Sequence, residues 1–275
     1  MRYRAFVLLP LAWGAAFLLG DALLYGQPGY PYFLRTQVEL AKALALAGSL
    51  AAAFALEPGD YLRRAWLFIA GCMALLLLRD LTLAPIGFDA VGPRNLDLLR
   101  GVLVVMANLS QVVGTWMLAR AGERAGLGLP LSAATQRTLV VVAVALSAAI
   151  AGPGVVTNTN RVLGGDLNAM TSVASSLGDA ISLCLIAPML LTALALQGGL
   201  IGWTWTLLTA SYVAWLFYDA TLVLGPGIGL GPRGVRTGSE VFRALGCTFG
   251  FTAGLAQRAV VEQLRRLGSG AAAGA

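Results

Sequence analysis

The sequence predicts an all-α, polytopic integral membrane protein, built as a bundle of eight transmembrane helices. Of its 275 residues, 58% are hydrophobic and only 12% are charged, whereas a soluble domain carries about 25% charged residues. The mean hydropathy is +0.77. The apolar residues fall into eight runs, each near the roughly 20 residues that a helix needs to cross a bilayer. Together these observations argue against a soluble globular domain.

Short connections separate the eight helices, so we expect one transmembrane domain over residues 1–260 and a short cytoplasmic tail over residues 261–275. The helices are predicted at residues 5–25, 38–56, 62–84, 98–119, 137–155, 168–197, 201–224 and 239–260. The first has the basic start and apolar run of a signal peptide. Because it lacks a small-x-small cleavage site and is long enough to span, we expect it to remain as a membrane helix.

The second, fourth and eighth helices begin with related charged phrases. RTQVELAKAL (35–44) returns as RTGSEVFRAL (236–245), and the fourth helix begins near RNLDLLRGV. Each phrase places a base three residues after an acid. These pairs are Glu39 and Lys42, Asp97 and Arg100, and Glu240 and Arg243. The sixth helix keeps the acid, Asp166, but has Ala169 in place of the base.

The first, third and seventh helices each end near an aspartate, namely Asp21, Asp80 and Asp219, whereas the fifth has no such acid. Together with the repeated phrases, this pattern predicts four helical hairpins in series, the third of them divergent. We expect all of these charges at one end of the bundle, where they would form a charged outer rim.

An acid in the last turn of a helix faces the negative end of the helix dipole, which costs about 0.3–1 kcal/mol. A base on the next helix can offset that cost. We therefore predict three pairings: Asp21 with Lys42, Asp80 with Arg79 or Arg100, and Asp219 with Arg243. The alternative is that these charges only lock the hairpin tips at the level of the lipid headgroups.

The sixth helix carries a polar stripe at helical spacing, which comprises Ser172, Ser175, Ser176, Asp179 and Ser182. A charge as deep as Asp179 costs at least about 2.5 kcal/mol in a bilayer, so it must face the interior, be protonated or pair with a base. Pro188 removes the backbone hydrogen bond to the Cys184 carbonyl, and we expect a kink there.

The fourth helix offers a facing surface on which Asp97, Arg100, Asn108, Gln111 and Thr115 share one side. We therefore predict a polar cavity between helices four and six, open to the outside. Its candidate ligand-binding residues are Asp179, Ser175, Ser176, Ser182, Asn108 and Gln111. The alternative for these residues is hydrogen bonding between helices, worth about 0.6 kcal/mol per bond.

The last two helices carry structural signals. Trp203 and Trp205 open the seventh helix and are typical of a membrane interface. Gly246, Gly250 and Gly254 recur every four residues in the eighth helix and predict a face for close helix packing.

The basic residues predict location and partners. Nearly all 19 are arginines, which suggests a GC-rich bacterial genome. Their bias towards one side of the predicted spans places both termini in the cytoplasm, in a multi-pass protein of the bacterial inner membrane. Because the arginines are scattered, they are no nucleic-acid footprint. The expected partner is the lipid bilayer, and a small-molecule ligand or a cytoplasmic or membrane signalling partner is compatible with the sequence.

The same sequence argues against several kinds of chemistry. It has no histidine and no Cys-x-x-Cys motif, so we expect no metal and no cofactor. GIGLGPRG (227–234) contains the G-x-G-x-x-G spacing, but it follows a membrane helix rather than a strand. With no second deep acid evident beside Asp179, we expect no enzymatic activity.

The phrase SSLGDAISLCLIAPMLL (175–191) resembles a late helix of the MASE1-type multi-span sensory domains of bacteria. In that family a Gly-Asp pair is followed by a proline within an apolar helix, and the matching positions here are Gly178, Asp179 and Pro188. The resemblance implies a sensory domain of about eight spans that works with a kinase or cyclase output.

The leading hypothesis is a bacterial membrane sensory or ligand-binding module with an outward-facing polar site and no enzymatic activity. A small-molecule permease or flippase is the first alternative. A structural subunit of a larger membrane complex is the second.

Overall fold

A computed structural model describes residues 4–82, 93–126, 131–166, 169–196 and 200–273, and every regular element in these ranges is helical. The helices are α1 (Arg4–Leu24), α2 (Tyr30–Ala55), α3 (Tyr61–Leu81), α4 (Pro93–Ala119), α5 (Ala121–Arg124), α6 (Ala133–Leu163), α7 (Ala169–Cys184), α8 (Ile186–Ala195), α9 (Leu200–Leu224) and α10 (Pro232–Ala273). The predicted all-α class is confirmed. Residues 1–3, 83–84, 168, 197 and 274–275, which belong to predicted segments, lie outside the described residues.

Seven helical stretches in the described chain are long and apolar enough to cross a membrane. They correspond to α1, α2, α3, α4, α6, the α7–α8 pair and α9. The eighth predicted span, α10, is not among them. It is nevertheless enclosed by other helices, since it packs on α1, α2 and α9.

The last helix is longer than the sequence predicts. α10 has 42 residues, which at 1.5 Å per residue is about 63 Å, or about twice the thickness of a bilayer core. The helix continues without a break through Ala273. The segment after the predicted span, residues 261–273, is thus a continuation of the same helix.

Six segments form a closed cycle of contacts. In this cycle α2 packs on α3, α3 on α4, α4 on α7 and α8, α8 on α9, α9 on α10, and α10 back on α2. Two helices lie outside the cycle: α1 packs on α10, and α6 packs on α7 and α8. Large apolar side chains on the peripheral helices, such as Leu8, Leu19 and Val141, are exposed, as expected for a surface that faces lipid.

The first predicted hairpin is open. α1 packs mainly on α10 and makes only minor contact with α2, whereas α3–α4, α6–α7 and α9–α10 pack as expected. α1 buries one narrow stripe, which consists of Phe6, Pro10, Gly14, Phe17 and Asp21. At Gly14 an added Cβ would lie 2.9 Å from Leu245 of α10. The glycine therefore lets α1 approach α10 closely.

The predicted kink at Pro188 is confirmed. The helix breaks at Leu185, which separates α7 from α8. The break lies one turn before Pro188, because the proline has no N–H to donate to the Cys184 carbonyl and its ring crowds the preceding turn.

The predicted glycine face of α10 is confirmed as a close-packing surface, divided between two neighbours. Gly246 faces α9, where an added Cβ would lie 2.8 Å from the Trp215 ring. Gly254 faces α2, where an added Cβ would overlap the backbone of Gly48. Gly250 is less constrained, with its nearest neighbour, the Ser211 hydroxyl, 3.5 Å from an added Cβ.

We predict that Gly254→Ala destabilises the protein and that Gly250→Ala does not. The methyl group at residue 254 would push the α2 and α10 backbones apart, and such overpacking costs about 1–3 kcal/mol. The apparent unfolding temperature of detergent-purified protein should fall by several degrees for the first variant only. Equal unfolding temperatures for the two variants would contradict the backbone contact.

Candidate functional site

Most of the titratable side chains that pack between helices gather at one end of the bundle, which we call the charged end. It is formed by the last turns of α1, α3 and α9 and the first turns of α2, α4 and α10. The predicted rim residues belong to these parts of the helices. The acid–base spacing of the repeated phrases gives an ion pair in each helix, with N–O distances of 3.2 Å for Lys42 and Glu39, 3.1 Å for Arg100 and Asp97, and 3.3 Å for Arg243 and Glu240.

Lys42 is the central cation of the charged end. Its side chain is 4% exposed, and its ammonium pairs with the carboxylate of Asp80, whose side chain is 5% exposed. Arg79 also binds Asp80, with its Nε 2.6 Å from the carboxylate. The predicted pairing of Asp80 with Arg79 therefore forms, and Lys42 bridges Asp80 on α3 to Glu39 on its own helix.

Asp21 does not pair with Lys42, which corrects the sequence prediction. Its carboxylate accepts hydrogen bonds from the Tyr30 hydroxyl, from the Thr237 hydroxyl at 3.0 Å and from the Arg233 guanidinium at 3.1 Å. The cause is the packing of α1 on α10, which carries Asp21 to the first turns of α10 and away from the inner part of α2.

Arg100 does not reach Asp80. Its guanidinium donates to the Thr82 hydroxyl at 3.1 Å and to the Thr82 carbonyl at 2.7 Å. Thr82 is the residue that caps the end of α3. Arg100 thus places a positive charge at the negative end of the α3 dipole, which is favourable, and it replaces the predicted pairing by a backbone contact.

The predicted pairing of Asp219 with Arg243 also does not form. Arg243 donates to the hydroxyl of the neighbouring residue, Tyr218, at 2.6 Å, because one step along a helix rotates a side chain by about 100°. Asp219 lies within electrostatic range of both Asp179 and Arg243, but it forms no ion pair with Arg243. The expectation that no second acid lies near Asp179 is therefore wrong.

A cavity of about 430 Å³, which we call the charged cavity, opens between α2, α3 and α10. It is lined by Tyr30, Pro31, Leu34, Arg35, Val38, Glu39, Lys42, Arg79, Asp80, Arg236, Glu240 and Arg243. Five of these residues are bases and three are acids, so the lining carries a formal excess of two positive charges. Eight lining residues either belong to the predicted rim or are the arginines that open the repeated phrases.

Arg35 and Arg236 account for the excess charge. Arg35 donates to the Asp80 backbone carbonyl at 3.0 Å, and the Arg236 guanidinium carbon lies 5.3 Å from the centre of the Tyr30 ring. Neither forms an ion pair with any carboxylate in the described ranges. Both side chains are exposed, so their guanidinium donors remain available to a ligand.

The sequence contained the signal for these two arginines. Each is the first residue of the repeated phrase, in RTQVELAKAL and in RTGSEVFRAL. The acid–base pairs inside the phrase were predicted as rim residues, whereas its opening arginine was not. Because α2 and α10 pack on each other, the repeat brings both arginines to the same cavity.

A second cavity, of about 480 Å³, adjoins the first, and we call it the adjoining cavity. It is lined by Leu222, Pro226, Leu230, Pro232, Val235, Arg236, Ser239, Glu240 and Arg243. The two cavities share Arg236, Glu240 and Arg243, which follow one face of α10. Within this shared stripe the Glu240 Oε2 atom is buried without a hydrogen-bond partner among the described residues.

Three of the six residues predicted to line a cavity between α4 and α7 contact three different helices. Asn108 of α4 is in direct contact with Gly178 of α7, where an added Cβ would lie 3.0 Å from the Asn108 Cβ. Ser176 faces Gly154 of α6, and Gln111 donates to the Tyr212 hydroxyl at 3.0 Å. Ser175 and Asp179 are half-buried on α7, and Ser182 is buried there.

Some polar atoms in this interior lack partners. The Asn108 Nδ2, Gln111 Oε1 and Ser182 Oγ atoms are buried without a hydrogen bond to any described residue. Within the same ranges, no three Cys, Asp or Glu side chains come together as a metal site. The accessible chemistry at the charged end is that of guanidinium groups, which bind carboxylates and phosphates in two-point contacts.

Comparisons of the chain with protein-family models, with curated proteins and with solved structures find no match. Function must therefore be inferred from the two cavities and their charges.

We predict that Lys42→Met destabilises the protein far more than Arg258→Gln, although each removes one positive charge. Loss of Lys42 leaves Asp80 and Glu39 short of a cation in a buried place, and breaking a buried pair costs about 3–5 kcal/mol, or roughly 6–20 °C in apparent unfolding temperature. Arg258 pairs with Glu262 on the exposed face of α10, and such pairs contribute at most about 1 kcal/mol.

Thermal unfolding of the two purified variants would measure this difference. Asp80→Asn should resemble Lys42→Met, since it breaks the same pair from the other side. A Lys42→Met protein as stable as the Arg258→Gln protein would show that the buried pair is not needed for the fold.

Proposed function

We propose that the protein is an integral membrane module of the sensory or ligand-binding kind, which binds an anionic ligand in the charged cavity. The observation that carries the proposal is the pair of accessible arginines, Arg35 and Arg236, at the mouth of a cavity whose other charges are already paired. A carboxylate or phosphate would complete the hydrogen bonding of both guanidinium groups.

Several features support insertion as eight membrane helices. Seven stretches are long and apolar enough to span. In α10 the charges of Arg243 and Glu240 are paired with each other, and the helix packs against α1, α2 and α9. The ion pairs formed by the three repeated phrases favour descent from a repeated hairpin. The charge bias of the sequence favours a bacterial inner membrane, with the charged end outside and both termini in the cytoplasm.

A physical link between the site and the opposite end supports a sensory role. α2 and α10 both line the charged cavity, and the two helices are joined again far from it, where the Arg265 guanidinium donates to the Ala55 carbonyl at 2.7 Å. A ligand that changes the spacing of the two helices would alter the position of the long end of α10. The resemblance of residues 175–191 to MASE1-type sensory domains favours the same role, with a signalling partner at that end.

We predict that the connection between α1 and α2 is extracytoplasmic and that the connection after α5 is cytoplasmic. Gln27 and Ala125 are exposed residues of these two connections. In intact cells, a membrane-impermeant maleimide should label Gln27→Cys and should label Ala125→Cys only after permeabilisation. The parent protein, whose cysteines are buried or half-buried, gives the background, and the reverse labelling pattern would invert the proposed orientation.

We predict that inorganic phosphate stabilises the protein through Arg35 and Arg236. At a concentration near 100 times the dissociation constant, a ligand adds about 2.7 kcal/mol, or roughly 5–11 °C in apparent unfolding temperature. The double variant Arg35→Gln/Arg236→Gln should lose most of this shift, measured against chloride at equal ionic strength.

Arg161→Gln is the matched control, because Arg161 pairs with Asp166 on the peripheral helix α6 and lines neither cavity. It should keep the full shift. If phosphate gives no shift, or gives the same shift in the double variant, the proposed anion site is wrong.

A further inference from the structure

We propose that the natural ligand is an anionic lipid, whose headgroup lies in the charged cavity and whose acyl portion lies in the adjoining cavity. This inference rests on the proposed function, because it names the class of ligand for the same site. It adds that the two cavities act as one binding site for a molecule with a charged part and an apolar part.

The stripe of Arg236, Glu240 and Arg243 places the two cavities side by side. These residues are spaced at i, i+4 and i+7, so they follow one face of α10. α2 and α3 close the charged cavity on one side of the stripe, and the end of α9 with the turn Pro226–Ile228 closes the adjoining cavity on the other. A ligand bound to Arg236 therefore reaches both cavities.

The lining of the two cavities differs in chemistry. Apart from the shared stripe and Ser239, the adjoining cavity is lined by Leu222, Pro226, Leu230, Pro232 and Val235. Leu222 and Leu230 are 43% and 41% exposed. A small soluble anion would fill only the charged cavity and would leave this apolar surface uncovered, whereas an acyl chain would cover it and gain affinity for every methylene buried.

The position of the site also favours a lipid. Arg35 and Arg236 lie in the second turn of α2 and of α10, which is near the headgroups if these helices span the bilayer. Lys42 and Arg243 lie about two turns deeper. A lipid could then enter sideways, with its acyl chains still in the membrane. A site at this depth samples anionic headgroups directly.

Glu240 narrows the choice of headgroup. Its Oε1 atom pairs with Arg243 at 3.3 Å, but its Oε2 atom is buried and has no partner among the described residues. Because this atom is buried, a hydrogen-bond donor of the ligand would reach it once the Glu240 side chain rotates towards one of the two cavities that it lines, and that bond would satisfy the acceptor. We therefore expect a headgroup that joins a phosphate to a hydroxyl, as in phosphatidylglycerol, rather than a choline headgroup without such a donor.

The test uses the full-length protein, delipidated in detergent, and three probes: a short-chain phosphatidylglycerol, phosphatidylcholine of the same chain length, and glycerol 3-phosphate. Titration calorimetry or native mass spectrometry gives the dissociation constants. We expect phosphatidylglycerol to bind at least about tenfold more tightly than either other probe, since a tenfold change needs only about two buried methylenes by the transfer scale.

Two variants separate the parts of the site. Arg35→Gln/Arg236→Gln removes the headgroup contacts and should weaken phosphatidylglycerol binding by about tenfold or more. Leu222→Trp fills the adjoining cavity and should weaken phosphatidylglycerol binding while leaving glycerol 3-phosphate binding unchanged. The controls are Arg161→Gln for the charge and Leu224→Trp for the added ring, because Leu224 is 50% exposed on the same helix and does not line the cavity.

The outcomes distinguish this inference from the proposed function. If glycerol 3-phosphate binds as tightly as phosphatidylglycerol and depends on the two arginines, while Leu222→Trp has no effect, the lipid inference fails and the anion site stands. If phosphatidylglycerol binding is insensitive to the arginine variant, the lipid is only adsorbed to the helix surface and the inference fails. If no anionic probe binds, both proposals fail.

Discussion

The structure depends on the need to pair charges that are buried in an apolar bundle. Lys42 is almost fully buried, and an unpaired ammonium at such a place would cost several kcal/mol. It is held by Asp80 from α3 and by Glu39 from its own helix, so the contact joins α2 to α3 at a fixed height. Asp21 fixes α1 to α10 in the same way through Arg233 and Thr237. Once these contacts are satisfied, Arg35 and Arg236 are the bases of the charged cavity that form no ion pair with a described carboxylate.

Features that depend on residues close together in the sequence were predicted from it, whereas features that depend on contacts between distant segments were not. The helices and the break before Pro188 depend on residues less than two turns apart, and both were predicted. The acid–base spacing within α2, α4 and α10 was recognised, but the bases were assigned to the aspartates of the preceding helices, whereas each pairs with the acid of its own helix. The partner of Asp21 depends on which helices pack together, which the hairpin hypothesis answered wrongly for α1, and the partner of Asp219 depends on which face of α9 meets α10. No local pattern shows that α1 leaves α2 for α10, because Gly14 and Leu245 are far apart in sequence.

The candidate site shows the same division. The sequence predicted Lys42, Asp80, Glu240 and Arg243 as members of a charged outer rim, but it placed the ligand cavity elsewhere, between α4 and α7. A stripe of small polar residues on a membrane helix can serve hydrogen bonding between helices as well as a cavity, and periodicity cannot separate the two. Arg35 and Arg236 can be recognised as binding candidates only in the folded structure. There the acids of the charged cavity pair with other bases, and neither arginine forms an ion pair with a described carboxylate.

The backbone contact between Gly48 and Gly254 gives α2 and α10 a fulcrum. With no side chain between them, the helices can tilt about this point more easily than they can separate. Arg35 and Arg236, at the mouth of the charged cavity, lie 13 and 18 residues away on one side, about 20 and 27 Å. The contact between Arg265 and Ala55 lies 7–11 residues away on the other side, about 10–16 Å. A ligand that pushes the helices apart at the cavity would rotate them about the Gly48–Gly254 contact and bring their other ends together. Because those ends lie closer to the contact, they would move a shorter distance with a larger force.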